Sequence, residues 1–316
     1  MIKQIEEFIK QIQDSRRYSF LTKKAYTKTI TNFSTYLEEN QVKTLNLQKI
    51  EGFFTYLEHE AIERKEIGDK SIGIGREMDS LTMKNSSMNR HLPILRKLLH
   101  YLGYNEVARE LKSYKVDSRF DIIEYSEIKK IFDINKLTEY FEEKSPESKN
   151  QDFYVMRMKL LIDFVVSVGS RLTETSNLKK SQLKLERKIP LVEFVGKGNK
   201  TRVVELSIKW LKEYQEFISK YQKVKDSEYI FTSFGGGKLS FNTLNSYIKD
   251  LAHFIGVPKL SMHKLRHCYA ILSYEQNGDI VALSKRLGHN DIKTTMIYLS
   301  HVLSEKKAQV SPLDVI

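Results

Sequence analysis

From residue 1 to about residue 111 the apolar side chains recur at helical spacing, which restricts this region to packed helices. Ile5, Phe8, Ile9 and Ile12 form one set, and Tyr26, Ile30, Phe33 and Leu37 a second. Ile50, Phe53, Phe54 and Leu57 follow, then Leu92, Leu95, Leu99 and Leu102. Steps of three and four place each set on a single helix face. Gly68 to Asn85, with glycines and mixed charge, reads as a long loop between the third and fourth helices. The period fades in the charged run SYKVDSRFD, within Lys112 to Asp121, which reads as a linker. The expected domains are therefore 1–117 and 118–316, and a chain of 316 residues is long enough for two cores.

Beyond the linker the pattern mixes periods. Ser126, after the hydrophobic Tyr125, suits a helix N-cap. Lys144 to Asp152 is polar and reads as an exposed loop, and helical spacing then runs through Met156, Leu160, Ile162, Phe164 and Val168. Two β-rich runs inside Leu183 to Leu206 flank a Gly-Lys-Gly-Asn turn, which predicts a hairpin with Lys197 at its tip. Helices are predicted again over Ile208–Tyr221, Phe241–Phe254, Leu260–Glu275 and Ile280–Leu287, the last closing at Gly288. Between them, Tyr229 to Thr232 reads as a strand followed by a glycine turn.

Lysine and arginine number 52 against 40 aspartates and glutamates, a net charge of +12. Such a chain attracts polyanions and releases their counterions, so nucleic acid heads the candidate partners. Cys268 is the single cysteine, which excludes an internal disulfide and fits a reducing, cytoplasmic setting. The N-terminus lacks a signal-peptide core and no segment has the apolar length of a membrane span, so no membrane partner is expected.

The chemistry-bearing residues fall in the second region. His263-Lys264-Leu265-Arg266-His267 lies in a predicted helix, where His263 and Arg266 are three residues apart and can aim at one target. Arginine offers a planar fork that matches phosphate oxygens, and histidine exchanges protons near neutral pH. His263 and His267 also have the spacing of a zinc pair, but Lys264 stands where a metalloprotease helix needs glutamate and no further ligands are evident. Leu287-Gly288-His289 comes later, then Lys293-Thr294-Thr295 and Tyr298. Upstream, Gly169 breaks an apolar helix and leaves Arg171 near the start of the next, in GSRLTE with Glu174.

Each block alone has a plain structural explanation; their order is specific. An arginine in GSRLTE, a lysine in a β-turn, HKLRH, LGH and a tyrosine together resemble the tyrosine recombinase (phage integrase) family, Xer-like enzymes in particular, over roughly Tyr125 to His301. Ser87-Met88-Asn89-Arg90-His91-Leu92 and LRKLLHYLG are similar to the last helix of that family's core-binding domain. Ser170 departs from the pattern, a larger apolar residue being usual there.

The resemblance implies a mainly α fold with a small β-sheet: an all-helical core-binding domain followed by an α+β catalytic domain. It implies Tyr298 as nucleophile on a DNA phosphorus, giving a 3′-phosphotyrosine and a free 5′-hydroxyl without ATP. It implies His263 as the base for a phenol that is ordinarily protonated at neutral pH, Arg171 and Arg266 as clamps on the non-bridging oxygens, Lys197 as the acid for the leaving oxygen, and His289 as a phosphate hydrogen-bond partner. Glu174 would orient an arginine or a neighbouring side chain. Arg90, Arg96, Lys97, Lys200 and Arg202 are expected to contact DNA. No metal or other cofactor is expected. The implied partners are a double-stranded recombination site, three further copies in a synaptic tetramer with the tail from His301 to Ile316 docking on a neighbour, and a DNA translocase or second recombinase. The implied task is chromosome or plasmid dimer resolution in the nucleoid, with integration or transposition of a mobile element as the alternative.

Three other readings compete. A DNA-binding protein could keep the fold without the reaction, and a type IB topoisomerase would relax supercoils without a second site. Phe234-Gly235-Gly236-Gly237-Lys238 suggests a nucleotide-binding loop, but it lacks the first glycine and has Leu239 where serine or threonine is needed.

Overall fold

The computed structural model describes residues 1–66, 85–116, 125–144, 147–196 and 201–305, with side chains masked at 61–66, 125, 126, 128 and 300–305. Two compact units are present, Met1–Arg119 and Phe120–Ile316. Of the loop expected over Gly68 to Asn85, residues 68–84 lie outside the described residues, as do the linker from 117, the turn residues 197–200 and the tail from 306, whereas Asn85 is already helical.

The first unit contains α1 (Ile2–Asp14), α2 (Phe20–Glu39), α3 (Leu47–Glu66), α4 (Asn85–Tyr101) and a short α5 (Asn105–Glu110). Helix α2 begins where the Ser19 side chain accepts the Thr22 backbone N–H, satisfying a donor the helix cannot. Ile5, Phe8 and Ile12 of α1, Ile30 and Phe33 of α2, Phe53 and Leu57 of α3, and Leu95 and Leu99 of α4 merge in one buried core. Helix α5 was not anticipated, since six residues are too few to show a period.

The second unit begins with α6 (Tyr125–Ile131), α7 (Ile134–Lys144), α8 (Gln151–Val168) and α9 (Leu172–Ser176). Because α6 starts at Tyr125, Ser126 lies inside its first turn and is not the cap expected. Helix α8 is the axis of this core: Phe153, Met158, Leu161, Phe164, Val165 and Val168 are buried along it. An antiparallel sheet follows, in the order β1 (Leu183–Lys184), β2 (Leu191–Val195), β3 (Thr201–Glu205). Val192 pairs with Val204 and Phe194 with Arg202, so alternate side chains face the helices. Val192, Phe194 and Val204 are buried there.

The remaining elements are α10 (Ile208–Lys220), α11 (Gln222–Asp226), α12 (Phe241–Phe254), α13 (Met262–Asn277), α14 (Ile280–Leu287) and α15 (Ile292–Glu305). Trp210 of α10 donates its indole N–H to the Leu160 carbonyl, 2.8 Å away, fixing α10 on α8. Tyr229 to Thr232 is not a strand: Tyr229 and Thr232 each form one isolated bridge, to Lys179 and Lys238. The Ile230 N–H goes to the Leu178 carbonyl and the Leu239 N–H to the Phe231 carbonyl, and among the described residues no strand extends either bridge into a ladder. Among the described residues, no helix is long and apolar enough to cross a membrane.

Candidate active site

Helix ends build the centre of the site. Helix α8 stops at Gly169, whose φ of +61° glycine adopts without steric cost; a Cβ there would also run into the Tyr269 ring. The buried Ser170 hydroxyl then bonds Thr175 Oγ1 at 2.8 Å, which explains a small polar residue at this position. Arg171 becomes the N-cap of α9, and Glu174 at the third helical position accepts its backbone N–H at 2.7 Å.

Two arginines are anchored by carbonyls that helices leave unpaired at their C-terminal ends. Arg266, buried on α13, donates Nη1 to the Gly169 carbonyl at 2.6 Å and Nη2 to the Leu287 carbonyl at 2.5 Å. Arg171 donates Nη2 to the Gly288 carbonyl at 2.9 Å and Nη1 to Glu174 at 2.9 Å. Burial, then the charges of Arg171 and Arg202, push the Arg266 pKa down to about 10, so it remains a cation at neutral pH.

His289 follows α14. Its Nε2 lies 3.1 Å from Arg266 Nη2 and its Nδ1 lies 2.8 Å from the hydroxyl of the buried Thr295. A guanidinium only donates, so Nε2 is the acceptor and Nδ1 carries the hydrogen toward Thr295. Burial, with Arg266, Arg171, Arg202 and His263 nearby, lowers its pKa to about 4.

Tyr298, buried on α15, sits among three imidazoles. Ring centroids are 4.0 Å away for His267, 5.2 Å for His289 and 5.7 Å for His263. Burial and the neighbours His263, Lys264, Arg266 and His289 lower the His267 pKa to about 3, and its Nε2 has no protein partner. His263 is exposed at the mouth; partial loss of water contact, then Arg266, Lys264 and Arg171, depress its pKa. Arg171, Thr173, Ser261, His263, Arg266 and Tyr298 line a cleft of about 400 Å³. Among the described residues, no three His, Cys, Asp or Glu side chains gather to hold a metal.

Of the residues singled out in the sequence, Arg171, Glu174, His263, Arg266, His289 and Tyr298 come together here. Lys197 and Lys200 lie outside the described residues. Arg202 is engaged inside the site: Nη1 and Nη2 grip both oxygens of Glu174 at 2.8 and 2.9 Å, and Nε donates to the Arg286 carbonyl at 2.8 Å. In the first unit Arg90 and Lys97 are exposed, the latter 4.5 Å from the Tyr18 ring centre. Arg96 is half-buried, and its Nε and Nη2 both donate to the Leu111 carbonyl, at 3.0 and 2.5 Å. His267 and Thr295 were not assigned roles from sequence. His267 was visible only as half of a zinc-like pair, and Thr295 only as part of a short polar run.

The family model described as "Phage integrase family" matches residues 132–305, more than half of the chain. The chain belongs to the phage integrase family. A phage integrase N-terminal SAM-like model matches residues 5–104 of this recombinase. Tyrosine recombinase XerD of Rhizobium meliloti (strain 1021) is 30% identical over 229 residues, 71% of this chain and 72% of that protein. Tyrosine recombinase XerC of Leptospira interrogans (serovar Lai) is 27% identical over 314 residues, 96% and 90% of the two chains. Among solved structures, XerH site-specific recombinase bound to a palindromic difH substrate shares the fold with a TM-score of 0.61 at 20% identity, covering 98% of this chain and 84% of that one. A lambda integrase fragment on a core site gives 0.63 at 16% identity, covering 94% of each chain. The protein is a Xer-like tyrosine recombinase, a site-specific DNA recombinase.

Proposed function

We propose that this recombinase cuts and rejoins DNA through Tyr298, with Arg171, Arg266, His263, His289 and Lys197 acting on the scissile phosphate. The observation that supports this most is the single cleft shared by Tyr298, His263, Arg171 and Arg266. Attack by the Tyr298 oxygen forms the P–O(Tyr) bond and breaks the bond to the 5′-oxygen, so one phosphodiester replaces another and no energy source is consumed. A base must be neutral before it can accept the phenolic proton, and the depressed pKa of His263 keeps it so at neutral pH.

Charge favours the transition state. Arg171, Arg202 and Arg266 surround the single carboxylate of Glu174, leaving two positive charges uncompensated. A phosphodiester carries one negative charge and its pentavalent transition state approaches two, so attraction grows as the reaction proceeds. His289 accepts from Arg266 in this arrangement, so it acts on a phosphate by steering that guanidinium until its tautomer changes. Lys197, five residues before Arg202 in the sequence, is assigned to protonate the leaving 5′-oxygen.

The Xer names of the relatives favour dimer resolution as the task, by four protomers on two DNA sites in the cytoplasm and nucleoid, with a translocase or second recombinase as controlling partner. Arg90 and Lys97 are proposed phosphate contacts. The test is trapping: genomic fragments that stay covalently bound to the wild-type chain are sequenced, and a nicked duplex carrying that site is incubated with wild type and Tyr298→Phe. Wild type should form the adduct and the variant should bind without forming it. A wild-type chain that never forms an adduct on any genomic fragment would falsify the reading.

A further inference from the structure

We propose that Arg202, whose side chain is largely buried against Glu174, is a positioning residue for strand cleavage, setting the Arg171 guanidinium through Glu174. The inference rests on the recombinase reading and extends it to a residue on the hairpin. Arg202 and Glu174 side chains are each 10% exposed, and the guanidinium lies over the Phe194 ring at 4.2 Å. A planar fork paired with both carboxylate oxygens fixes the carboxylate plane as well as its distance. The same two oxygens receive the Arg171 backbone N–H and its Nη1. Burial opposes charge on Glu174, but the Arg202 hydrogen bonds and charge, with those of Arg171, outweigh it and hold the carboxyl below its ordinary pKa.

Arg202 therefore joins three elements that each carry a piece of the site. It stands on β3, grips Glu174 of α9, and donates Nε to the Arg286 carbonyl near the end of α14. Gly288, whose carbonyl holds Arg171, passes so close that a Cβ there would lie 2.9 Å from Arg202 Cδ. Both supports of Arg171, Glu174 and the Gly288 turn, are thus in contact with one side chain. Lysine would keep the charge and lose the fork. Small displacements of a clamping group cost about 100-fold in rate, which sets the expected scale.

The experiment uses the full chain and the nicked duplex carrying the site trapped from genomic DNA. Single-turnover cleavage at saturating DNA is compared for wild type, Arg202→Lys, Glu174→Gln and the double variant, alongside DNA Kd and thermal unfolding. Each single variant should cleave about 10- to 100-fold more slowly with Kd within about twofold of wild type. The double variant should be no slower than the slower single one, because both act on the same arginine. A methylphosphonate at the scissile linkage removes the charge that Arg171 neutralises, so on that duplex the gap between wild type and the variants should shrink to within about threefold. If Arg202→Lys fails to fold, Glu174→Gln carries the same comparison. Unchanged cleavage with a weakened Kd and a shallower salt dependence would overturn the proposal in favour of a phosphate contact. Additive losses, or a defect equally large on the methylphosphonate, would overturn it too. Absence of any wild-type adduct is a separate result, which removes the recombinase reading itself.

Discussion

The residues around Tyr298 divide the electrical work: arginines carry the positive charge and the imidazoles beside them stay neutral. His267 and His289, with pKa values lowered to about 3 and about 4 mainly by burial, are uncharged at neutral pH. In the unfolded chain both revert to about 6.5 and take up protons below that pH. Between about pH 6.5 and pH 4 the unfolded state therefore binds more protons than the folded one. Stability should rise with pH through this window and be lost as pH falls. Unfolding midpoints from pH 7 to pH 4 check this, and His267→Gln should flatten the slope; an unchanged slope in the variant would count against it. Thr295→Val keeps the shape and removes the hydrogen bond that fixes His289, so cleavage should slow about 2- to 10-fold with the fold intact, read in single-turnover assays. The Thr295 and His267 contacts were not legible in the sequence, because they depend on α15 crossing α13 and no local spacing encodes that meeting. Arg171, Arg266 and Tyr298 were legible because their neighbouring motifs occur in a fixed order.

At the scale of elements, the site depends on where helices stop. The ends of α8 and α14 supply the carbonyls that hold Arg266 and Arg171, so moving either end displaces an arginine. Gly169→Ala puts a Cβ on a residue with φ of +61° and against the Tyr269 ring. The left-handed conformation alone costs about 1–2 kcal/mol, and the collision adds to it. A fall of at least that size in unfolding free energy, measured by denaturant titration, is expected together with slower cleavage; unchanged stability would mean that the turn relaxes freely. Helix ends of this kind are readable because glycine marks them, as it does at Gly169 and Gly288. Strand pairing is less readable: Tyr229 to Thr232 has β-forming side chains, yet no neighbour extends its single bridges. The intramolecular partners of Arg96 and Arg202 were not readable for a related reason. A basic residue on an amphipathic pattern looks solvated until the distant carbonyl or carboxylate that consumes it is known.

For the whole molecule, the excess of 52 basic over 40 acidic residues predicts binding that weakens with salt. Arg90→Ala and Lys97→Ala should each reduce the slope of log affinity against log salt by about 1, whereas Arg96→Ala should leave that slope alone and lower the unfolding midpoint. Equal slopes for all three would place the DNA elsewhere. The central claim is narrower than binding: one phenol, among 17 tyrosines, becomes bonded to DNA. Digesting the trapped adduct and sequencing the nucleotide-bearing peptide by mass spectrometry tests it most directly. The predicted result is a 3′-phosphoryl nucleotide on Tyr298 alone, with a free 5′-hydroxyl on the opposite fragment. A nucleotide on any other residue, or a 5′-phosphoryl link, would contradict the account.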